Sequence, residues 1–255
     1  MSASECFITP GCFPDNVVAY TSTRCGGVSG KALKNNFFQG AGSTGDYLGL
    51  NVGAHVGDDI INVSQNRARL PYSERITWLE QRHGSTVVTL PSVSVIADAS
   101  FSSSSAHFCA VMTADCVPVL ISDRNGKEVA AIHAGWKGIE ANIISNAVAY
   151  FSSKPSQLIA WIGPAICGQC YEVNETLAAK FLQYKNSVKP KTEADKYCLD
   201  LPHIANQQLT HIGVSQIEQS HLCTYCRSDW FYSHRKATHN KYAATGRIVS
   251  VIGLR

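Results

Sequence analysis

Short apolar runs rich in β-branched residues constrain this chain more than any other feature. They span residues 76–79, 87–90, 108–112, 117–121, 129–132 and 158–162, and each is closed by small or polar residues. Runs of that length and content read as strands of a buried sheet. Between and after them the period changes. Residues 138–151 set Ile139, Ile143, Ile144, Ala147, Val148 and Phe151 on one face of an amphipathic helix. Residues 174–183 and 201–212 repeat that period, the second through Leu201, Ile204, Ala205, Leu209 and Ile212 with Gly213 as its stop. A last strand is expected over 248–254. The first 70 or so residues, rich in Gly, Asn and Thr, read as short strands and turns. The serine run 102–105 reads as a loop between strands of one sheet. Strands and helices alternate only in part, so the expected class is α+β (mixed α/β). The expectation is a single domain over 1–255, with a central buried mixed β-sheet flanked by helices.

Composition narrows the partners. Of the 255 residues 45% are apolar and 16% charged, against ~25% charged in ordinary soluble domains, which excludes a disordered chain. The net charge is +3. Basic residues are scattered, with one dense group at Arg235, Lys236, Lys241 and Arg247, so no nucleic-acid partner is expected. The first twenty residues hold no Lys or Arg to start a signal peptide. The longest apolar stretch, 158–167, contains Gly and Pro and is shorter than the ~18 residues of a membrane span. Ten Cys in 255 residues, about 4%, fall below the ~8–10% of disulfide scaffolds. The thiols are read as reduced and the protein as cytoplasmic.

Three polar residues stand where strands end in tight turns: His83 in Gln81-Arg-His-Gly84, Cys116 in Thr113-Ala-Asp-Cys116, and His133 in Ile132-His-Ala-Gly-Trp-Lys-Gly138. Gly84, Gly135 and Gly138 allow sharp turns at strand ends, where sheet proteins project side chains into crevices. Two imidazoles and one thiolate suit Zn(II) and leave a fourth position open, as in catalytic zinc sites. Their separations of 33 and 17 residues match no metal-binding motif. A lone His or Cys beside a buried strand is more often a packed core residue. A second chemistry uses the same atoms, with Cys116 as a nucleophile activated by His133.

Two Cys-x-x-Cys pairs, Cys167/Cys170 and Cys223/Cys226, raise the idea of a four-thiolate zinc site. The 53 residues from Cys170 to Cys223 hold two expected helices and exceed the ~15–20 of a zinc knuckle. Separation therefore argues against a shared site, and a redox pair lacks its helix start after Gly163-Pro164. The nine His contain no His-x-His pair of the kind copper oxidases use, and the nucleobase-deaminase signature is absent. Arg24, Lys137 and Arg235 stand near turns as candidate anion ligands.

Taken together, the turn motifs resemble the laccase-domain or YfiH-type family. Its members have been named multicopper polyphenol oxidase, peptidoglycan editing factor and purine nucleoside phosphorylase. The resemblance rests on seven motifs in order. They are Arg24-Cys-Gly-Gly-Val-Ser29; Leu50-Asn-Val-Gly-Ala-His-Val-Gly-Asp-Asp59 with Asn66-Arg67; Gln81-Arg-His-Gly84; Ala114-Asp-Cys116; His133-Ala-Gly-Trp-Lys-Gly138; Gly163-Pro-Ala-Ile166 with Tyr171-Glu-Val173; and Thr245-Gly-Arg247. Two positions depart from the pattern: Cys25 replaces the commoner His, and Ser233-His-Arg-Lys236 replaces Ser-Tyr-Arg-Arg.

The resemblance implies zinc bound by His83, Cys116 and His133. It also implies phosphorolysis of adenosine, inosine and methylthioadenosine, with deamination of adenosine. Arg24, Lys137 or Arg235 would then hold phosphate, and Trp136 would stack on a base. The competing expectations are an amide hydrolase of the peptidoglycan-editing type and a non-catalytic, zinc-stabilised binding protein. The partners expected are a purine nucleoside and phosphate, with no membrane, and a monomer is expected over an oligomer.

Overall fold

A computed structural model of the chain describes residues 6–30 and 45–255. The apolar runs form strands as expected, divided between two large sheets, and a third, small sheet is built from other residues. The first has the order β1 (Phe7–Ile8), β2 (Val17–Ser22), β14 (Ile248–Leu254), β6 (Phe108–Thr113), β3 (Ile76–Thr77). The second runs β13 (Gln216–Gln219), β9 (Leu158–Ile162), β7 (Val117–Asp123), β8 (Val129–Ala134), β5 (Ala99–Ser102), β4 (Val87–Thr89). A small antiparallel sheet joins β10 (Glu172–Asn174), β12 (Lys196–Leu199) and β11 (Val188–Pro190).

The two large sheets pack on each other, which explains why their strands are apolar on both faces. Leu120, Val129, Ala131 and Trp161 of the second sheet meet Cys109, Val111 and Ile252 of the first in one buried cluster. The opposite face of the second sheet, with Val119, Ile121, Ala130 and Ile132, is covered by helical residues including Ile143, Ile144 and Ile204. The outer face of the first sheet carries Ala110, Met112, Val249 and Val251 under Leu50, Val52 and Leu70. Residues 102–105 therefore join strands of different sheets, β5 and β6, where one sheet was expected. Apolarity reports burial but not which sheet a strand enters.

The helix expected over 138–151 is two short helices, α2 (Trp136–Glu140) and α3 (Ile143–Val148). Asn142, at φ +60°, breaks the chain between them, a conformation Asn adopts more readily than most residues. All six residues of the expected apolar face are nevertheless buried. Residues 174–183 yield only α4 (Glu175–Ala179), capped by Asn174, whose side chain accepts a hydrogen bond from the Leu177 N–H. The helix over 201–212 forms as expected, α5 (Leu201–Ile212), with Asp200 capping its start and Gly213 at φ +104° ending it.

The N-terminal expectation missed α1 (Ile60–Ala68), because Ile60 and Ile61 face solvent and only Val63 and Asn66 are buried. The part of that expectation over 31–44 lies outside the described residues. Asn66 is a staple: its Nδ2 donates to Ser29 Oγ and Asn51 O, and its Oδ1 accepts from Val28 N–H. Gly27 beside it is obligatory, since a Cβ there would lie 2.2 Å from backbone atoms of Gly49 and Leu50. The last helix, α6 (His234–His239), follows Ser233, whose hydroxyl accepts from Lys236 N–H.

Candidate metal centre and active site

The second sheet brings together residues that are far apart in sequence. His133 points from β8, Cys116 directly precedes the neighbouring β7, and His83 lies in the turn before β4. Their potential ligand atoms all lie within 4.8 Å of one another. Space for them depends on Gly135, where a Cβ would sit 3.1 Å from both Cys116 Sγ and His83 Cδ2.

Asp98, just before β5, organises this corner and had no signal in the sequence. Its side chain is buried, with Oδ1 accepting from His133 Nδ1 at 2.8 Å and from His83 N–H at 2.9 Å. Oδ2 accepts from Gly84 N–H at 2.6 Å and Arg82 N–H at 3.2 Å. The carboxylate thus fixes the His83 turn, where His83 has φ +58°, and commits His133 to the tautomer that leaves Nε2 as donor atom. Burial opposes ionisation of Asp98, yet these hydrogen bonds hold it below the usual carboxylate range.

Charge is redistributed within the trio. Burial alone would raise the Cys116 thiol, but the charge and hydrogen bonds of His133, with those of His83, bring it down to about 6. Burial opposes protonation of His133 in turn, while Cys116 and Asp98 raise it to about 9. Without a metal, the corner is a thiolate–imidazolium pair at neutral pH. A cation that replaced the imidazolium proton would meet a thiolate already formed.

The trio lines a cavity of about 460 Å³, inside the ~300–1,000 Å³ range of small-molecule sites. Trp136, Lys137, Tyr171, Arg235, His55, His234 and Arg247 line it as well. The Arg235 guanidinium stacks 5.1 Å from the Tyr171 ring centre and donates to Glu172 O at 2.8 Å. Lys137 is exposed, its Nζ 5.5 Å from the Trp136 ring centre.

Arg24 does not line this cavity. Its guanidinium is bound by Asp46 at 2.5 and 3.1 Å, by Leu48 O and Ser228 O, and stacks 4.6 Å over Tyr232. A side chain so fully engaged braces the N-terminal turn, so the expected anion ligand becomes a structural cation in this arrangement.

Beyond Asp98, the sequence reading gave no role to Asp115, His55, His234 and Arg247. Asp115 takes φ +95° and ties three segments together. Its carboxylate accepts from Thr224 Oγ1 at 2.6 Å and Arg235 N–H at 2.7 Å, and its carbonyl accepts from Ile166 N–H at 2.9 Å. Arg247, largely buried, donates to Thr245 O and Gly246 O. Burial first, then its charge, keeps His55 and His234 below the ordinary histidine value. The signal for these four was positional, since each sits in one of the motifs named above.

The four Cys of the two Cys-x-x-Cys pairs also meet, with their sulfurs within 4.8 Å of one another. This overturns the argument from separation. The reason is topological: β9 and β13 are parallel neighbours whose ends coincide at Ile162 and Gln219. A parallel pair needs a long crossover, so sequence distance between its two exits says nothing about their distance in space.

The family model described as multi-copper polyphenol oxidoreductase laccase matches residues 18–255. The chain is similar to Purine nucleoside phosphorylase YfiH of Shigella flexneri, 40% identical over 250 residues, covering 94% of this chain and 95% of that protein. It is 36% identical over 250 residues to the purine nucleoside phosphorylase of Haemophilus influenzae, with coverage of 94% and 95%. Among solved structures it resembles Neisseria meningitidis protein NMB0706, with TM-score 0.82, 34% identity and coverage of 98% and 99%. It also resembles YlmD from Geobacillus stearothermophilus, with TM-score 0.84, 27% identity and coverage of 100% and 98%.

Proposed function

Because the chain belongs to the multi-copper polyphenol oxidoreductase laccase family and its relatives carry the name purine nucleoside phosphorylase, we propose that it is a zinc-dependent purine nucleoside phosphorylase. The observation that carries this reading is one cavity joining a His–Cys–His corner to cationic and aromatic walls. His83, Cys116 and His133 fit zinc by donor chemistry: two imidazoles, one thiolate, and a carboxylate behind one imidazole. A multinuclear copper centre would need more imidazoles than the two in this group. Zinc bound there would act as a Lewis acid toward a substrate oxygen or a water.

The remaining roles belong to side chains. Arg235, Lys137 and Arg247, which all line the cavity, attract phosphate by charge-assisted hydrogen bonds. The faces of Tyr171 and Trp136 offer stacking surfaces to a purine. His55 and His234, neutral at pH 7, offer hydrogen bonds to ribose hydroxyls or base nitrogens. In phosphorolysis a phosphate oxygen bonds to C1′, the glycosidic C–N bond breaks, and the base leaves with the electron pair and takes up a proton. Adenosine, inosine and methylthioadenosine are the substrates proposed, with hydrolytic deamination of adenosine as a second activity. The same reading makes the chain a single-domain, monomeric, cytoplasmic enzyme without nucleic-acid or membrane partners. No helix among the described residues is long and apolar enough to cross a membrane.

The test is base release from each nucleoside with and without phosphate, beside ammonia release from adenosine. Strict dependence of base release on phosphate supports phosphorolysis, and turnover of neither kind overturns it.

One observation favours a second reading. The thiolate–imidazolium pair at Cys116 and His133 is the unit of cysteine hydrolases, and would cleave an amide without phosphate. Iodoacetamide labelling read by peptide mass separates the two. A Cys116 protected until zinc is chelated supports ligation, whereas rapid labelling with zinc bound supports the nucleophile.

A further inference from the structure

Cys167, Cys170, Cys223 and Cys226 form a second corner that the proposed reaction does not use. Their sulfurs lie within 4.8 Å of one another, and Cys170 Sγ is 3.4 Å from Cys226 Sγ. A tetrahedron with metal–sulfur bonds of ~2.3 Å has edges of about 3.8 Å, so small side-chain shifts would enclose an ion. Both turns have the form such a site requires. The Cys167 carbonyl accepts from the N–H groups of Cys170 and Tyr171, and the Cys223 carbonyl accepts from Arg227 N–H.

The backbone also prepares a thiolate. N–H groups of Cys167 and Cys226 point at Cys223 Sγ from 3.3 and 3.4 Å. Several thiolates cannot share so small a volume without a cation.

We propose that these four cysteines bind one structural zinc ion, in a closed site separate from the His83/Cys116/His133 corner. Four protein ligands leave no open position, so this ion holds chain and does no chemistry. What it holds is the cavity wall. The turn after β9 carries Ile166 and Tyr171, which line the cavity, and the turn after β13 carries Thr224, which holds Asp115. The bridge between Ala165 and Cys223 already pairs the two turns, and the ion would fix their spacing at the tips.

The proposal makes metal content per chain the readout. Protein purified under reducing conditions and weighed by native mass spectrometry should carry two zinc ions. The double variant Cys170→Ser/Cys226→Ser should carry one, as should His83→Ala/Cys116→Ala. Cobalt separates the sites further. The His83→Ala/Cys116→Ala protein loaded with Co(II) should show the intense thiolate charge-transfer absorption of four-sulfur coordination. A folded His83→Ala/Cys116→Ala protein that binds no metal would overturn the proposal. So would an intact mass two or four hydrogens light, which would mean disulfides. Because this variant leaves all four cysteines in place, the test survives misfolding of the serine variant. Failure of the phosphorylase reading would leave the count of two unchanged.

Discussion

The two sulfur-bearing corners of the second sheet are built on opposite plans. At the first, three candidate ligands come from three separate segments of the second sheet, and a buried carboxylate, Asp98, positions one of them. At the second, four cysteines, the candidate ligands, come from two Cys-x-x-Cys turns, and the N–H groups of Cys167 and Cys226 point at one of the sulfurs, Cys223 Sγ. The first opens onto a cavity and mixes imidazole with thiolate; the second lies among half-buried and exposed cysteines at the exit of a parallel strand pair. An incomplete, asymmetric ligand set suits chemistry, and a complete, symmetric one suits holding a chain in place.

Single ligand substitutions should split the corners most sharply. Cys116→Ser should lower phosphorolytic kcat about 10³-fold, in line with the several kcal/mol a metal centre supplies. Cys226→Ser, at an exposed cysteine, should leave kcat within a few-fold while lowering the melting temperature. Steady-state kinetics beside thermal unfolding checks both, and equal losses of kcat would erase the division of labour.

The next effect concerns Asp98; among the described residues no carboxylate hydrogen-bonds to the four cysteines. Asp98→Asn keeps the shape but loses the charge and weakens the hold on His133, so zinc affinity should fall ~10–100-fold. Competition with a chromophoric chelator measures it, and the release of zinc from the other corner should not change.

Titration separates the corners again. In metal-stripped protein, Cys116 falls to about 6 and His133 rises to about 9, so their ion pair spans that interval. Its stabilisation is lost as pH falls through about 6, where the depressed thiol protonates, and as pH rises through about 9, where the elevated imidazolium deprotonates. Ultraviolet thiolate absorbance should therefore show a step near pH 6 that Cys116→Ser removes.

The cations give the smallest contrast. Arg235→Ala should raise the KM for phosphate about tenfold, matching one charge-assisted contact. Arg24→Ala should leave that KM unchanged and cost about 1–3 kcal/mol of stability by leaving Asp46 and two carbonyls without their partner. Urea unfolding with phosphate saturation curves on both variants checks the pair.

How much of this was legible in the sequence follows the same physics. Strand cores such as 158–162 and helix 201–212 could be read directly, because burial on a repeating period leaves its mark on residue type. The candidate ligands His83, Cys116 and His133 were visible as polar residues at strand ends, and the fold brings them together. Asp98 was invisible, since its importance lies in four hydrogen bonds to residues up to 35 positions away. The meeting of Cys167/Cys170 with Cys223/Cys226 was hidden for a different reason, a parallel crossover that makes sequence distance irrelevant. Arg24 was legible as a cation near a turn, but not its engagement by Asp46, which only the fold supplies.

The central claim is that the His83/Cys116/His133 cavity transfers a ribosyl group to phosphate, and the products decide it. Zinc-loaded protein incubated with adenosine and phosphate should yield free base and pentose 1-phosphate in equal amounts, quantified together by mass spectrometry, with both formed about 10³-fold more slowly by Cys116→Ser. Free base accompanied by unphosphorylated ribose, or the same yield from Cys116→Ser, would contradict the account.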